Sequence, residues 1–117
     1  MKKDIFFQLS QNAAERMAER FGTPLLVLSL EQIEKNYRFL KKHLPRVQLY
    51  YAIKANPMPA LVCHMAGLVD GLDVASGGEL KIALDSSAGA QSISFAGPGK
   101  SRAELAQAVA AGILINV

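Results

Sequence analysis

The features that mark secreted, membrane-spanning and nucleic-acid-binding proteins are scarce in this sequence. Cys63 is the only cysteine among 117 residues, so no internal disulfide can form and a cytoplasmic location is expected. No apolar stretch approaches the roughly 20 residues of a membrane helix. Gln8 breaks the apolar run at residues 5–7, which leaves no secretory signal. A soluble protein with no membrane partner is therefore expected.

An excess of either charge is also missing. Thirteen basic and ten acidic side chains give a net charge of +3, and they are scattered along the chain. Because nucleic-acid-binding surfaces need clustered basic residues, no nucleic-acid partner is expected. Half of the residues are hydrophobic, which excludes an intrinsically disordered chain.

From residue 47 onward, short apolar runs alternate with helical patterns. The runs predict strands over residues 47–54, 72–75, 93–96 and 113–117, and helices over 59–66, 78–85 and 102–111. Two of these helices follow a Ser-x-x-Glu capping box, Ser76 with Glu79 and Ser101 with Glu104. Alternating strands and helices predict right-handed crossovers and a parallel sheet.

Two further helices and a short strand are predicted before residue 47. Apolar residues at every fourth position predict a helix over residues 9–21, and a second helix is predicted over 30–44 after a capping box of Ser29 and Gln32. The apolar run at residues 25–28, between the two helices, predicts a strand.

The alternation within each of the four later strands separates two faces of the sheet. One face is aliphatic in all four, and the other carries Lys54, Asp73, Ser94 and Asn116. An open doubly wound sheet would be apolar on both faces, because helices cover both. A barrel interior, with polar groups converging at its mouth, fits the pattern better.

Lys54 is the first candidate for chemistry, because ligands of parallel α/β folds gather at the carboxyl ends of strands. Partial desolvation there would favour the free amine, which forms a Schiff base with an aldehyde. On position alone, a solvated lysine at a strand end is the favoured interpretation.

Asp73 and Glu79 are candidate acids near this lysine. Asp73 either holds a cation by charge or satisfies backbone amides of a loop. The capping box with Ser76 explains Glu79 without any ligand. The segment from Ser76 to Gly78 fits the close approach of a ligand and a tight turn equally well.

Two other motifs fail as functional sites. The segment from Gly97 to Ser101 lacks a phosphate-loop glycine, because Ser94 stands where that glycine is required. His64 lies beside Cys63 on a helix, and adjacent helix positions point about 100° apart. We therefore expect neither a metal site nor a Cys-His nucleophile.

Three ordered segments resemble conserved blocks of the ornithine/diaminopimelate decarboxylase family, the fold-type III pyridoxal-phosphate enzymes built on an alanine-racemase-like barrel. They are residues 51–56, 71–80 and 95–101. Residues 23–25 also resemble the first strand of that family's second, β-rich domain. The resemblance spans about residues 20 to 117, and three blocks in order are more specific than any one of them.

The resemblance implies pyridoxal 5'-phosphate as the cofactor and makes Lys54 the lysine that forms the internal aldimine. Asp73 and Glu79 become cofactor-binding acids near it. Racemases of this fold usually continue after the lysine motif with Tyr-Gly, whereas residues 57–59 here are Pro-Met-Pro, which favours a decarboxylase over a racemase. The implied substrate is an amino acid, free or carrier-bound, and the implied full-length protein is a homodimer.

The length indicates part of a barrel. A complete eight-stranded barrel needs roughly 250 residues, whereas these 117 supply the amino-terminal half of a (β/α)8 TIM-type barrel. Residues 1–29 are expected to hold a helix and a strand of a second β domain, and residues 30–117 the partial pyridoxal-phosphate-binding barrel. We expect the chain alone to be inactive. The alternative is a non-catalytic relative or fragment that associates through exposed strand edges.

Overall fold

The described part of the chain, residues 7–117 of this computed structural model, divides into two units. The first ends at Pro45 and contains two helices, α1 (Gln11–Phe21) and α2 (Leu30–His43). Both agree with the predicted helices at residues 9–21 and 30–44 to within two residues at each end. Ser10 and Ser29 set where the helices begin, because each Oγ accepts a backbone N–H of the first turn.

The prediction of a strand at residues 25–28 is wrong. The structure assigns no strand to this segment, and three of its leucines are exposed: Leu25, Leu26 and Leu28. An apolar run predicts an extended backbone, but a strand also needs a hydrogen-bonded neighbour. No such neighbour is assigned to residues 25–28 within the described range 7–117.

A four-stranded parallel sheet forms the framework of the second unit, with the strands in sequence order. The strands are β1 (Tyr50–Ala52), β2 (Gly71–Val74), β3 (Ile93–Phe95) and β4 (Leu114–Ile115). They are connected by α3 (Pro59–Ala66), α4 (Gly77–Leu84) and α5 (Arg102–Ala111). The predicted alternation and the parallel sheet are therefore confirmed.

Strand β1 is shorter than the predicted strand over residues 47–54. Before β1, Asp70 binds both backbone groups of Leu49. Its Oδ2 accepts from the N–H of Leu49 at 2.7 Å, and its N–H donates to the carbonyl of Leu49 at 3.0 Å. After β1, the chain enters one turn of 3-10 helix over Ile53–Ala55. The strand therefore ends two residues before Lys54.

The core of the second unit lies between the sheet and its helices. The fully buried residues of the strands are Leu72, Val74, Ile93 and Phe95. The helices contribute buried residues that pack against them: Val62, Leu80, Ala83 and Ala108. Leu72, Val74, Ile93 and Phe95 alternate with the half-buried Asp73 and Ser94, which confirms the two predicted faces for these strands. Gly71, on the side of Asp73, is buried as well.

No helix within residues 7–117 combines the length and the apolar character that crossing a membrane requires.

Candidate functional site

Lys54 lies in the 3-10 turn that directly follows β1, with its side chain exposed. Two contacts fix the backbone of this turn. The Tyr51 hydroxyl donates to the carbonyl of Asn56 at 3.0 Å, and the Asn56 N–H donates to the carbonyl of Ile53 at 3.0 Å. Because Ile53 is also fully buried, the turn presents the Lys54 amine from a fixed backbone. Partial burial raises the pKa of the Tyr51 hydroxyl, which keeps this donor protonated.

Asp73 lies on the polar face of the sheet, level with the end of β1. The strand register places Ala52, Asp73 and Ser94 side by side on β1, β2 and β3. The Ser94 hydroxyl donates to Asp73 Oδ1 at 2.6 Å, and both side chains are half-buried. The sequence pattern identified Ser94 as a polar residue of this face, and the structure shows that it is the hydrogen-bond partner of Asp73.

Glu79 is bound to the backbone of its own loop. Its Oε2 accepts from the N–H of Ala75 at 2.8 Å, while its N–H donates to Ser76 Oγ at 3.2 Å. The structure therefore confirms that Ser76 caps α4. Within residues 7–117, no hydrogen bond or ion pair joins Lys54, Asp73 and Glu79 to one another.

The N-terminus of α4 is occupied by a carboxylate from the next helix. Glu104 Oε1 accepts from the Gly77 N–H at 2.8 Å. A Cβ on Gly77 would stand 3.2 Å from Glu104 Cγ and 3.1 Å from Gln107 Oε1, so a glycine leaves room for this approach. Of the two interpretations open for residues 76–78, the structure favours a turn that receives a protein side chain.

Sequence reasoning missed this second role of Glu104. The capping box with Ser101 explains the residue completely, and the structure confirms that box at the start of α5. Gly77 lies 27 residues away in sequence, and no local pattern connects the two positions. Only the packing of α4 beside α5 shows that one carboxylate binds the first turns of both helices.

The Glu104 carboxylate accepts three hydrogen bonds, which lower its pKa. The largest contribution comes from the N–H of Ser101, followed by the N–H of Gly77 and the Ser101 hydroxyl. These donors lie at 2.9, 2.8 and 2.9 Å. Donors that favour the ionised form hold the pKa of Glu104 below its ordinary value of 4.5.

Acid should therefore weaken the fold through Glu104. Because its pKa is lower in the folded than in the unfolded chain, its contribution to stability is complete above pH 4.5 and is lost as the pH falls through the folded-state value. We expect Glu104→Gln to lower the urea concentration at the midpoint of unfolding at pH 7. The difference in midpoint between this variant and the unaltered chain should narrow below pH 4.5. Glu19→Gln, at an exposed position of α1, is the control. A constant difference across the pH range would contradict the assignment.

Lys100 is engaged by backbone carbonyls at the carboxyl edge of the sheet. Its Nζ donates to the carbonyl of Gly97 at 2.6 Å and to the carbonyl of Asn116, and it lies 5.6 Å from the centroid of the Phe95 ring. The ammonium thus ties the loop after β3 to the end of β4. This geometry differs from that of a phosphate loop, whose lysine must reach the phosphates.

The chain also contains two histidines and one cysteine, which are common metal ligands. The His43 ring lies 4.2 Å from the ring of Phe39 on α2, and Cys63 is exposed on α3. In the part of the chain that the structure describes, no group of three or more His, Cys, Asp or Glu residues could hold a metal ion.

Comparison with known proteins decides the family. The sequence profile of the family described as "Pyridoxal-dependent decarboxylase, pyridoxal binding domain" matches residues 30–117. The chain belongs to this family. The match confirms the resemblance that the three sequence blocks indicated, together with the cofactor that the resemblance implied.

Curated relatives of this pyridoxal-dependent decarboxylase domain are named as decarboxylases. The lysine/ornithine decarboxylase of Selenomonas ruminantium is 42% identical over 94 residues, 80% of this chain and 24% of the relative. The diaminopimelate decarboxylase of Aquifex aeolicus is 39% identical over 101 residues, 86% of this chain and 24% of the relative. The L-glutamyl-[BtrI acyl-carrier protein] decarboxylase of Niallia circulans is 38% identical over 110 residues, 90% of this chain and 25% of the relative. The chain thus spans about a quarter of the length of these relatives.

Solved structures agree in fold. The lysine decarboxylase of S. ruminantium superposes with a TM-score of 0.85 at 38% identity, over 92% of this chain and 28% of that one. The diaminopimelate decarboxylase of M. jannaschii in complex with L-lysine gives a TM-score of 0.78 at 39% identity, over 90% of this chain and 26% of that one. The predicted fold class is confirmed: the four parallel strands and the three helices that connect them are the amino-terminal part of a TIM-type barrel.

Proposed function

We propose that this chain is the amino-terminal part of a pyridoxal-phosphate-dependent amino-acid decarboxylase, and that Lys54 holds the cofactor. One observation carries the proposal: a chain of the pyridoxal-binding family presents an exposed lysine from a fixed turn at the carboxyl end of β1. Parallel α/β barrels place their catalytic groups at this end of the strands.

The residues present suit the cofactor's aldehyde. When bound, pyridoxal phosphate supplies an electron sink for the charge that remains after carbon dioxide leaves. The exposed amine of Lys54 is accessible to an aldehyde and can form a Schiff base with it. Asp73 adds a carboxylate on the polar face, where negative charge favours a cation.

We propose Asp73 and Glu79 as the acids that border the cofactor. One oxygen of each carboxylate is already held, Asp73 Oδ1 by Ser94 and Glu79 Oε2 by the N–H of Ala75. Each side chain therefore has a fixed orientation and a second oxygen for another partner. Glu79 lies in the first turn of α4, directly after the loop that follows β2.

Two of the backbone amides at the N-terminus of α4 already have protein acceptors. The N–H of Gly77 is bound by Glu104 and the N–H of Glu79 by Ser76. A phosphate at a helix start binds amides that have no other acceptor. We therefore assign the phosphate to residues other than these.

The wider assignments rest on the relatives and on composition. The relatives are named for lysine, ornithine, diaminopimelate and a carrier-bound glutamyl group, so we propose an amino-acid substrate, free or carrier-bound. The homodimer of the whole protein, which the family resemblance implied, stays a prediction. The single cysteine supports a cytoplasmic location. We retain the division into residues 1–29 and 30–117, whose boundary coincides with the start of the family match.

The substrate and the reaction can be tested on the whole protein that carries this chain. With pyridoxal phosphate and amino acids labelled at the carboxyl carbon, we expect labelled carbon dioxide from a basic or carrier-bound amino acid. Inversion at Cα without carbon dioxide, measured by chiral chromatography, would instead identify a racemase. Cofactor binding with neither product would identify a non-catalytic relative. The isolated chain should release no carbon dioxide.

A further inference from the structure

The polar face of the sheet has two rows of residues with different characters. Nearer the amino ends of the strands, the Tyr50 ring covers the position of Gly71. Nearer the carboxyl ends, the register aligns Ala52, Asp73 and Ser94. The second row borders the turn that contains Lys54, and its members are a methyl group, a carboxylate and a hydroxyl.

We propose that Ser94 is a positioning residue of the cofactor site, which acts by fixing the carboxylate of Asp73. The proposal rests on the proposed function of Lys54. Ser94 is separated from the lysine's strand by β2, so its effect on the lysine must pass through Asp73.

The geometry of the contact supports a fixed carboxylate. The Ser94 hydroxyl has one proton to donate, and it lies 2.6 Å from Asp73 Oδ1, within the range of hydrogen bonds to charged acceptors. The residues on either side of Ser94, Ile93 and Phe95, are fully buried. The backbone that carries the hydroxyl is therefore held in place by the core.

Asp73 is held in the same way. Its neighbours Leu72 and Val74 are fully buried, so its backbone is anchored and only the side-chain rotamer remains to be chosen. A hydrogen bond from the adjacent strand selects one rotamer. Oδ2 is then left for a cation, and the strand neighbour of Asp73 on β1 is Ala52, which has a small side chain.

A fixed carboxylate matters because the Schiff base of a lysine carries positive charge when protonated. A carboxylate at a fixed short distance stabilises that cation, and the stabilisation weakens when the carboxylate is mobile or solvated. Loss of the Ser94 hydroxyl should therefore weaken the attachment of pyridoxal phosphate at Lys54, although Ser94 does not contact the cofactor.

The test measures attachment at Lys54 against an internal reference. The cofactor-free protein that carries this chain is mixed with pyridoxal phosphate, reduced with borohydride and digested, and the label on Lys54 is divided by the label on Lys81. Lys81 is exposed on α4 and paired with Asp85 at 2.7 Å. We expect Ser94→Ala to lower this ratio about tenfold, the order expected for a hydrogen bond to a charged group.

Two matched comparisons isolate the hydroxyl. Threonine and valine side chains have nearly the same shape, and both suit a strand. Ser94→Thr should therefore keep the label ratio within about twofold, whereas Ser94→Val should lower it as Ser94→Ala does. Ser92→Ala is the control in the same segment, because the Ser92 hydroxyl donates to the carbonyl of Gly89. The Thr and Val pair also answers the question if Ser94→Ala does not fold.

Asp73→Asn shows whether Ser94 acts through Asp73. We expect Ser94→Val to change the ratio no further in the Asp73→Asn background. An equal loss in both backgrounds, or a ratio in Ser94→Val like that of the unaltered protein, overturns the proposal. If Lys54 is labelled no more than Lys81 in the unaltered protein, the proposed function of Lys54 itself fails. A high ratio that does not depend on Ser94 would instead overturn only the role of Ser94 and leave the proposed function of Lys54 in place.

Discussion

Replacement of Lys54 by alanine is expected to abolish the attachment of pyridoxal phosphate at this position and to lower decarboxylation by the whole protein at least 10²-fold. The estimate is of the order of the loss on removal of one acid–base group, about 10²- to 10⁴-fold, to which the loss of the covalent link adds. The measurements are peptide mapping after borohydride reduction, and the rate of carbon dioxide release.

Two controls separate the amine of Lys54 from charge and from folding. Lys54→Arg keeps a positive charge, but its guanidinium stays protonated and cannot form the link, so it should be as inactive as alanine. Lys81→Ala removes an exposed lysine from α4 and should leave both measurements unchanged. Undiminished turnover in Lys54→Ala would remove Lys54 from the mechanism. Lys54 and Lys81 are both exposed, so all three variants should remain folded.

Gly71→Ala is expected to cause the largest loss of stability for the smallest change in the chain, about 2 to 3 kcal/mol in the free energy of unfolding. A Cβ at Gly71 would stand 2.3 Å from Tyr50 Cε1 and 2.5 Å from the carbonyl oxygen of Ser92. The tyrosine ring can move, but the carbonyl belongs to the backbone that leads into β3. Urea unfolding of the two chains measures the difference.

Gly78→Ala provides the matched control for this prediction. The nearest heavy atom to a Cβ at Gly78 is Ser76 Oγ at 3.9 Å, and Gly78 lies in the first turn of α4. Alanine favours a helix over glycine by about 0.8 to 1 kcal/mol, so this variant should be as stable as the original chain or more so. In a Tyr50→Ala background, Gly71→Ala should remain destabilising because the Ser92 carbonyl is unchanged. Equal stability of the two alanine variants would contradict the close approach.

Much of the second unit could be predicted because its signals are local. Proline at the first position of α3 and the capping box of Ser101 and Glu104 mark where two helices begin, and both were predicted at their observed bounds. The side-chain alternation of a strand has a period of two residues, so Asp73 and Ser94 were assigned to the polar face without any knowledge of their neighbours.

The errors arose where the hydrophobic pattern alone does not decide the backbone conformation. Residues 25–28 have the composition of a strand but no assigned strand neighbour within residues 7–117. The strand predicted through Lys54 ends at Ala52, because the hydroxyl of Tyr51 and the buried side chain of Ile53 favour a 3-10 turn. Neither condition is visible in the hydrophobic pattern of a short window.

The sequence by itself indicated the family, the order of strands and helices in the second unit, the two faces of the sheet and Lys54 as the candidate cofactor lysine. Only the tertiary structure decided which groups hold the site together: Ser94 binds Asp73 across 21 residues, and Glu104 binds Gly77 across 27. The physical reason is that these contacts come from the register of parallel strands and the packing of neighbouring helices. A serine or a glutamate has the same local preferences whether or not a distant partner is brought within hydrogen-bond range.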